Sequence, residues 1–308
     1  MNITIVGPGA VGLLLAGYLH RGGAAVTLAD ELPERADLFG REGIRWEGID
    51  EDFRFTVPVT LGLKGVAGAD LVILCVKAYH TEAASRQVYD AGYRGPVMTL
   101  QNGVGNAETI MTGCPGSPVI AGITSEGANL AADNHVRHAG KGKTIFGPVV
   151  PGMPDSGFMK ELVSLMKKAG LDAELSADPQ ALVWGKVLVN AGINALTAIL
   201  QVRNGQLLEI ETARTLMKDL VLEACEVIAR KGVALSDTDP VSRVEEVCRR
   251  TEDNYSSMCI DIKHGRRTEI DFINGAIVRE GRAFGLACPY NDAVTKMVKG
   301  LEVKMIME

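Results

Sequence analysis

The chain has 308 residues, 46% of them hydrophobic, a formal net charge of −6 and six cysteines. That length allows two domains, each with a sizeable core. The acidic balance and the lack of a long basic run argue against nucleic acid or an anionic membrane as the main partner.

The cysteines, at 75, 114, 225, 248, 259 and 288, form no C-x-x-C pair, which disfavours a zinc site or a dithiol motif. A chain of this size needs no disulfide scaffold. An apolar run starting at Asn2 leaves no room for a signal peptide, so a reduced, soluble, cytoplasmic protein is expected.

Residues 2–6, NITIV, read as a strand. GPGAVG at 7–12 and LLLAGYLHRGG follow as a glycine turn and a helix stopped by Gly22-Gly23, and AAVTLAD then reads as a second strand ending at Asp30. Strand, turn, helix and strand form the context in which G-x-G-x-x-G carries meaning. Gly7 permits the tight turn, Gly9 leaves room for a pyrophosphate, and Gly12 lets the helix pack on the sheet. Gly7, Pro8, Gly9, Ala10, Val11 and Gly12 are therefore the candidate dinucleotide-binding turn; the alternative is a bare strand–helix connection.

Asp30 lies where an acidic residue takes the adenosine ribose hydroxyls. With Glu31 beside it, it would repel a 2′-phosphate and favour NADH, whereas Arg35 could swing in to meet one. The structural alternative makes Asp30 the cap of a helix over 33–39.

Residues 43–59 alternate roughly and suggest short antiparallel strands. GADLVILCVKAYHT, 68–81, reads as a buried strand entering a polar loop, with Lys77 and His80 past its carboxyl end, where open α/β sheets bind ligands. GPVMTLQNGVGN, 95–106, repeats the arrangement with Asn102. Residues 118–149 carry further strands as an antiparallel extension; their His135 and His138 have too little support to be read as metal ligands. A helix over 157–170 and a last strand lead to Asp178-Pro179, where a domain boundary is expected.

The stretch 181–200 is long, apolar and free of proline. It spans a bilayer in length, but Lys186, Asn190 and Asn194 oppose membrane insertion. Their i, i+4, i+8 spacing puts all three along one helix face. A lysine on such a helix is costly unless paired, and burial would lower its pKa. The face can be a cleft wall carrying a proton donor and two orienting amides, or a core helix whose lysine snorkels. Helical patterns follow at 212–232, 240–254, 268–285 and 291–307. The expected architecture is an N-terminal Rossmann-type doubly wound α/β domain, residues 1–178, and an all-α C-terminal substrate and catalytic domain, 179–308.

GPGAVG at 7–12, VKAYHT at 76–81, LQNGVGN at 100–106, K-x3-N-x3-N at 186–194 with LTAI after it, and SSMCIDI…RTEIDFINGAIV at 256–278 together resemble the ketopantoate reductases, the 2-dehydropantoate 2-reductases. The resemblance covers nearly the whole chain in order. It implies reduction of 2-dehydropantoate to pantoate on the route to pantothenate, with Lys186 as general acid and Glu269 meeting the substrate hydroxyl. Asn190 and Asn194 would bind substrate, Ser257 its carboxylate, and Lys77 and Asn102 would lie near nicotinamide and substrate. NADPH is the family's usual cofactor; Asp30 and Glu31 depart from the arginine many members place there. No metal is implied, the partner is a small 2-keto acid, and a homodimer is compatible with a sequence that says little about assembly.

The bland readings are specific. Ser257 could cap the helix after it, Glu269 could be a first-turn acid answering a helix dipole, Asp261 and Asn274 could be structural, and Trp184 reads as core. Two competing functions are a reductase of a different 2-keto acid and a dinucleotide-holding redox sensor without turnover.

Overall fold

The computed structural model describes residues 1–235 and 238–307. By packing, the chain divides into two compact units: residues 1–101 with 106–180, and residues 102–105 with 181–308.

The first unit begins β1 (Asn2–Val6), α1 (Ala10–Arg21), β2 (Ala25–Asp30), α2 (Pro33–Glu42), β3 (Ile44–Glu47), β4 (Asp52–Phe55), β5 (Val59–Leu61) and β6 (Leu71–Leu74). It continues α3 (Thr81–Asp90), β7 (Val97–Thr99), α4 (Asn106–Gly113), β8 (Val119–Thr124), β9 (Gly127–Ala132), β10 (His135–Gly140), β11 (Lys143–Pro148), α5 (Ser156–Lys168) and β12 (Asp172–Leu175). Among the described residues the main sheet has eight strands in the order β12-β11-β8-β7-β6-β1-β2-β5. All its pairings are parallel except β8 with β11.

A parallel sheet needs both faces covered, and the strand periodicity supplies two apolar faces. Leu71 and Ile73 enter one core with α1 and α5; Val72 and Leu74 enter the opposite core with Val88 and Ile110 from α3 and α4. This is the doubly wound arrangement expected.

The antiparallel reading of 43–59 holds for β3 with β4 only. β5 instead adds parallel to β2 at the edge of the main sheet. The antiparallel extension over 118–149 is likewise divided. β8 and β11 belong to the main sheet, whereas β9 and β10 join β3 and β4 in a second sheet of order β4-β3-β10-β9. The physical reason is side-chain chemistry: Trp46 of β3 and Val136 of β10 bury against Tyr18 and the other apolar residues of α1.

The second unit contains α6 (Pro179–Leu200) from Ala181 onward, α7 (Gln206–Glu209), α8 (Glu211–Arg230), α9 (Pro240–Arg250), α10 (Ser257–Lys263), α11 (Asn274–Ala283) and α12 (Pro289–Met307). Among the described residues α6 is the one helix long and apolar enough to cross a membrane, yet 61% of its most apolar window is buried inside the protein. It is a core helix, with Trp184, Val187, Leu188, Ala191 and Leu196 packed into the unit's apolar centre. Trp184 is thus core, as expected.

The helix expected over 268–285 is two elements. Residues 270–272 form a 3₁₀ turn, and α11 starts only at Asn274. Ile273, between them, has φ −110° and ψ −95°, which breaks the helical run.

Candidate active site

In the first unit, β1 delivers the chain into the turn at Gly7–Gly12. Gly7 has φ +80°, and a β-carbon there would meet Val76 Cγ1 at 2.5 Å, so both conformation and space demand glycine. A β-carbon on Gly12 would meet the Gly7 carbonyl at 2.8 Å and Cys75 Cβ at 3.2 Å, which is the close helix–sheet packing expected. Gly9 differs: nothing lies within 4 Å of its missing β-carbon. It caps α1 without a side-chain hydrogen bond. Pro8, Ala10 and Val11 complete the turn. An open glycine before a helix whose first-turn N–H groups lack intrahelical acceptors is a cradle that suits a phosphate anion.

Asp30, at the end of β2, is 3% exposed. Its carboxylate accepts from Leu32 N at 3.1 Å, Arg35 Nε at 2.5 Å and Arg35 Nη2 at 3.0 Å. Two expectations change. Leu32, not Asp30, is the N-cap of α2, and its side chain makes no capping bond. Arg35 is not poised for a phosphate; it forks onto Asp30, because a bidentate guanidinium–carboxylate pair is the strongest match available to either group. Glu31 stays exposed.

Lys77 follows β6 and is part-buried; it precedes a 3₁₀ turn at 78–80. His80 is exposed and packs edge-on against Tyr79. His135 pairs with Glu47 at 2.9 Å and His138 with Glu126 at 2.5 Å.

In the second unit, α6 presents Lys186 and Asn190, both part-buried, and Asn194, which is buried. Enclosure of the ammonium pushes the Lys186 pKa down to about 8, and the charge of Glu269 opposes that fall. Glu269 is 7% exposed and starts the 3₁₀ turn. It is therefore not a first-turn acid of an α-helix. Its Oε2 accepts a long hydrogen bond, 3.5 Å, from Asn102 Nδ2. Asn102 comes from the short loop that packs with this unit. There Val104 N donates to Phe272 O at 3.0 Å, and Gly103, with φ +89°, has no room for a β-carbon beside Phe272. Lys186, Glu269 and Asn102, scattered in sequence, are thus gathered into one electrostatic cluster.

Ser257 is the exposed first residue of α10. The helix cap is its neighbour Ser256, whose Oγ accepts from Cys259 N at 3.1 Å and from Thr197 Oγ1 at 2.7 Å. The capping alternative belongs to Ser256, which leaves the Ser257 hydroxyl for another partner. Asp261 accepts from Arg266 Nε at 3.1 Å. Asn274 is fully buried and donates to Ala191 O and Asn291 Oδ1, both at 3.0 Å. Both read as structural. Asn274 is the structural residue the sequence already suggests; Ser256 and Asn291 are not singled out by it, and the Ser-Ser pair before a helix is the available signal for Ser256.

An ammonium with a pKa near 8 is a proton donor matched to neutral pH. Beside a carboxylate and amides it can stabilise a developing alkoxide and protonate it.

Residues 3–151 match the family model described as "Ketopantoate reductase PanE/ApbA", and residues 178–302 match "Ketopantoate reductase PanE/ApbA C terminal". The chain belongs to the ketopantoate reductase family. The 2-dehydropantoate 2-reductase of Halobacterium salinarum is 36% identical over 300 residues, covering 97% of this chain and 98% of that one. Among solved structures, a ketopantoate reductase from Ralstonia eutropha superposes with a TM-score of 0.91 at 32% identity over 99% of both chains. D-mandelate dehydrogenase, solved with NADH and anilino(oxo)acetate, also gives 0.91, at 28% identity and 99% coverage of both.

Proposed function

We propose that this chain reduces 2-dehydropantoate to pantoate using a reduced nicotinamide dinucleotide. The observation that carries the reading is Lys186, held near a pKa of about 8 beside Glu269 within a chain that matches a 2-dehydropantoate 2-reductase over 97% of its length. Residues 1–178 serve as the dinucleotide-binding part and 179–308 as the substrate and catalytic part.

A reduced nicotinamide dinucleotide, when bound, would supply the hydride that the keto carbon takes up. Gly7–Gly12 hold its pyrophosphate on backbone N–H groups. As charge grows on the carbonyl oxygen, the Lys186 ammonium stabilises it and delivers the proton. Glu269 accepts from the substrate hydroxyl and keeps Lys186 charged. Asn190, Asn194 and Asn102 orient polar groups of the substrate, Ser257 donates to its carboxylate, and Lys77 would serve the nicotinamide end of the cofactor.

For the cofactor, Asp30 supports NADH over the family's usual NADPH, since a buried carboxylate disfavours a 2′-phosphate and already engages Arg35. A second reading has support of its own: the NADH-bound relative named D-mandelate dehydrogenase points to a reductase of another 2-keto acid on the same scaffold. An absorbance assay at 340 nm, run with 2-dehydropantoate and with aryl 2-keto acids against NADH and NADPH, separates the two. Higher kcat/KM for 2-dehydropantoate supports the first reading, and preference for the aryl acid supports the second. No turnover with any keto acid would leave a dinucleotide-binding sensor.

A further inference from the structure

Glu269 caps a short 3₁₀ turn, a weak element by itself because its hydrogen bonds are poorly aligned. Something else must fix it. The last helix, α12, grips the chain on both sides of Glu269. Glu302 Oε1 accepts from Thr268 N at 2.7 Å and from Thr268 Oγ1 at 2.6 Å. Thr268 is 2% exposed, and its Oγ1 also accepts from Ile270 N at 3.2 Å. Three residues before Glu302 on the same helical face, Lys299 Nζ pairs with Asp271 Oδ1 at 2.7 Å, while Arg267 reaches the other Asp271 oxygen at 3.9 Å.

We propose that Glu302 is a positioning residue for the reaction: through Thr268 it sets where the Glu269 carboxylate stands relative to Lys186. The inference rests on the reading of Lys186 and Glu269 as the catalytic pair. A carboxylate taking both the N–H and the hydroxyl of one residue fixes that residue's backbone and rotamer together, and charge-assisted bonds of this length are the strong kind. With the preceding residue fixed, the backbone from which the Glu269 side chain departs is anchored. Lys299 and Asp271 secure the far side.

The test is Glu302→Leu in the full-length protein, with 2-dehydropantoate as substrate. The expected result is a loss of about 10- to 100-fold in kcat, the scale of a small misplacement in an active site. Dinucleotide binding, read by fluorescence titration, is retained. The alkaline limb of the kcat profile moves to lower pH, since Lys186 then has a less well placed carboxylate. Glu302→Gln, which keeps an acceptor, recovers most of the turnover. Thr268→Val, a milder change, moves turnover and limb in the same direction and serves if Glu302→Leu does not fold. A purely structural Glu302 would lower stability and leave the pH limb where it was. Glu269→Gln runs in parallel. If it turns over normally, the catalytic reading fails and the positioning role with it. If Glu269→Gln is impaired while Glu302→Leu and Thr268→Val keep the parent kcat and pH limb, the positioning role alone is overturned.

Discussion

Asn102 and Glu269, 167 positions apart in the chain, meet through an amide-to-carboxylate hydrogen bond of 3.5 Å. The contact joins the loop after β7 to the turn before α11. It places a neutral donor on the carboxylate whose charge sustains the Lys186 ammonium. An ammonium and an amide are thereby linked through one carboxylate, the set of groups the proposed carbonyl reduction uses.

Replacing Lys186 by Ala removes the proposed proton donor. Turnover is expected to fall by about 10²- to 10⁴-fold. Dinucleotide affinity should hold, because the turn at Gly7–Gly12, proposed to bind the phosphates, is untouched. Steady-state kinetics with a fluorescence titration checks both; near-parental kcat would take Lys186 out of the mechanism.

The pH dependence follows from the same residue. The acid form is the ammonium, so activity is present below its pKa and is lost as pH rises through about 8. Glu269 raises that pKa, so Glu269→Gln should move the falling limb to lower pH. A kcat profile from pH 6 to 10 measures it, and a limb that stays flat through this range contradicts the assignment.

Cofactor choice is tested at Asp30. Asp30→Ala removes a buried carboxylate and releases Arg35. The ratio of kcat/KM for NADPH over NADH should rise roughly tenfold, equivalent to about 1.4 kcal/mol. An unchanged ratio places the adenosine ribose elsewhere.

The two adjacent serines should separate cleanly. Ser256→Ala loses a helix cap and the bond to Thr197, costing about 1–2 kcal/mol of stability, visible as a lower Tm. Ser257→Ala, at an exposed position, should leave Tm unchanged and raise KM for the keto acid. Equal behaviour of the two would remove Ser257 from the substrate site.

Gly103→Ala places a β-carbon against Phe272 at φ +89°. Strain and crowding should cost about 1–3 kcal/mol and loosen the Asn102 contact, lowering Tm and kcat together. Unchanged thermal denaturation would mean that this loop yields freely.

The sequence by itself determined the features whose causes are local. The turn at Gly7–Gly12 is legible because its glycines, strand and helix are contiguous, and α6 because its apolar run is long and unbroken. The face of Lys186, Asn190 and Asn194 follows from helical periodicity alone. Tertiary structure decided the rest. β3 and β10 pair across about ninety residues, with Trp46 beside Val136, and no local pattern encodes that partner. The break at Ile273, the choice of Ser256 over Ser257 as cap, and the capture of Arg35 by Asp30 each depend on which groups end up buried together. So does the acidity of Lys186: an ammonium's pKa is set by the water it loses and the charge it faces, and only the packed chain fixes either.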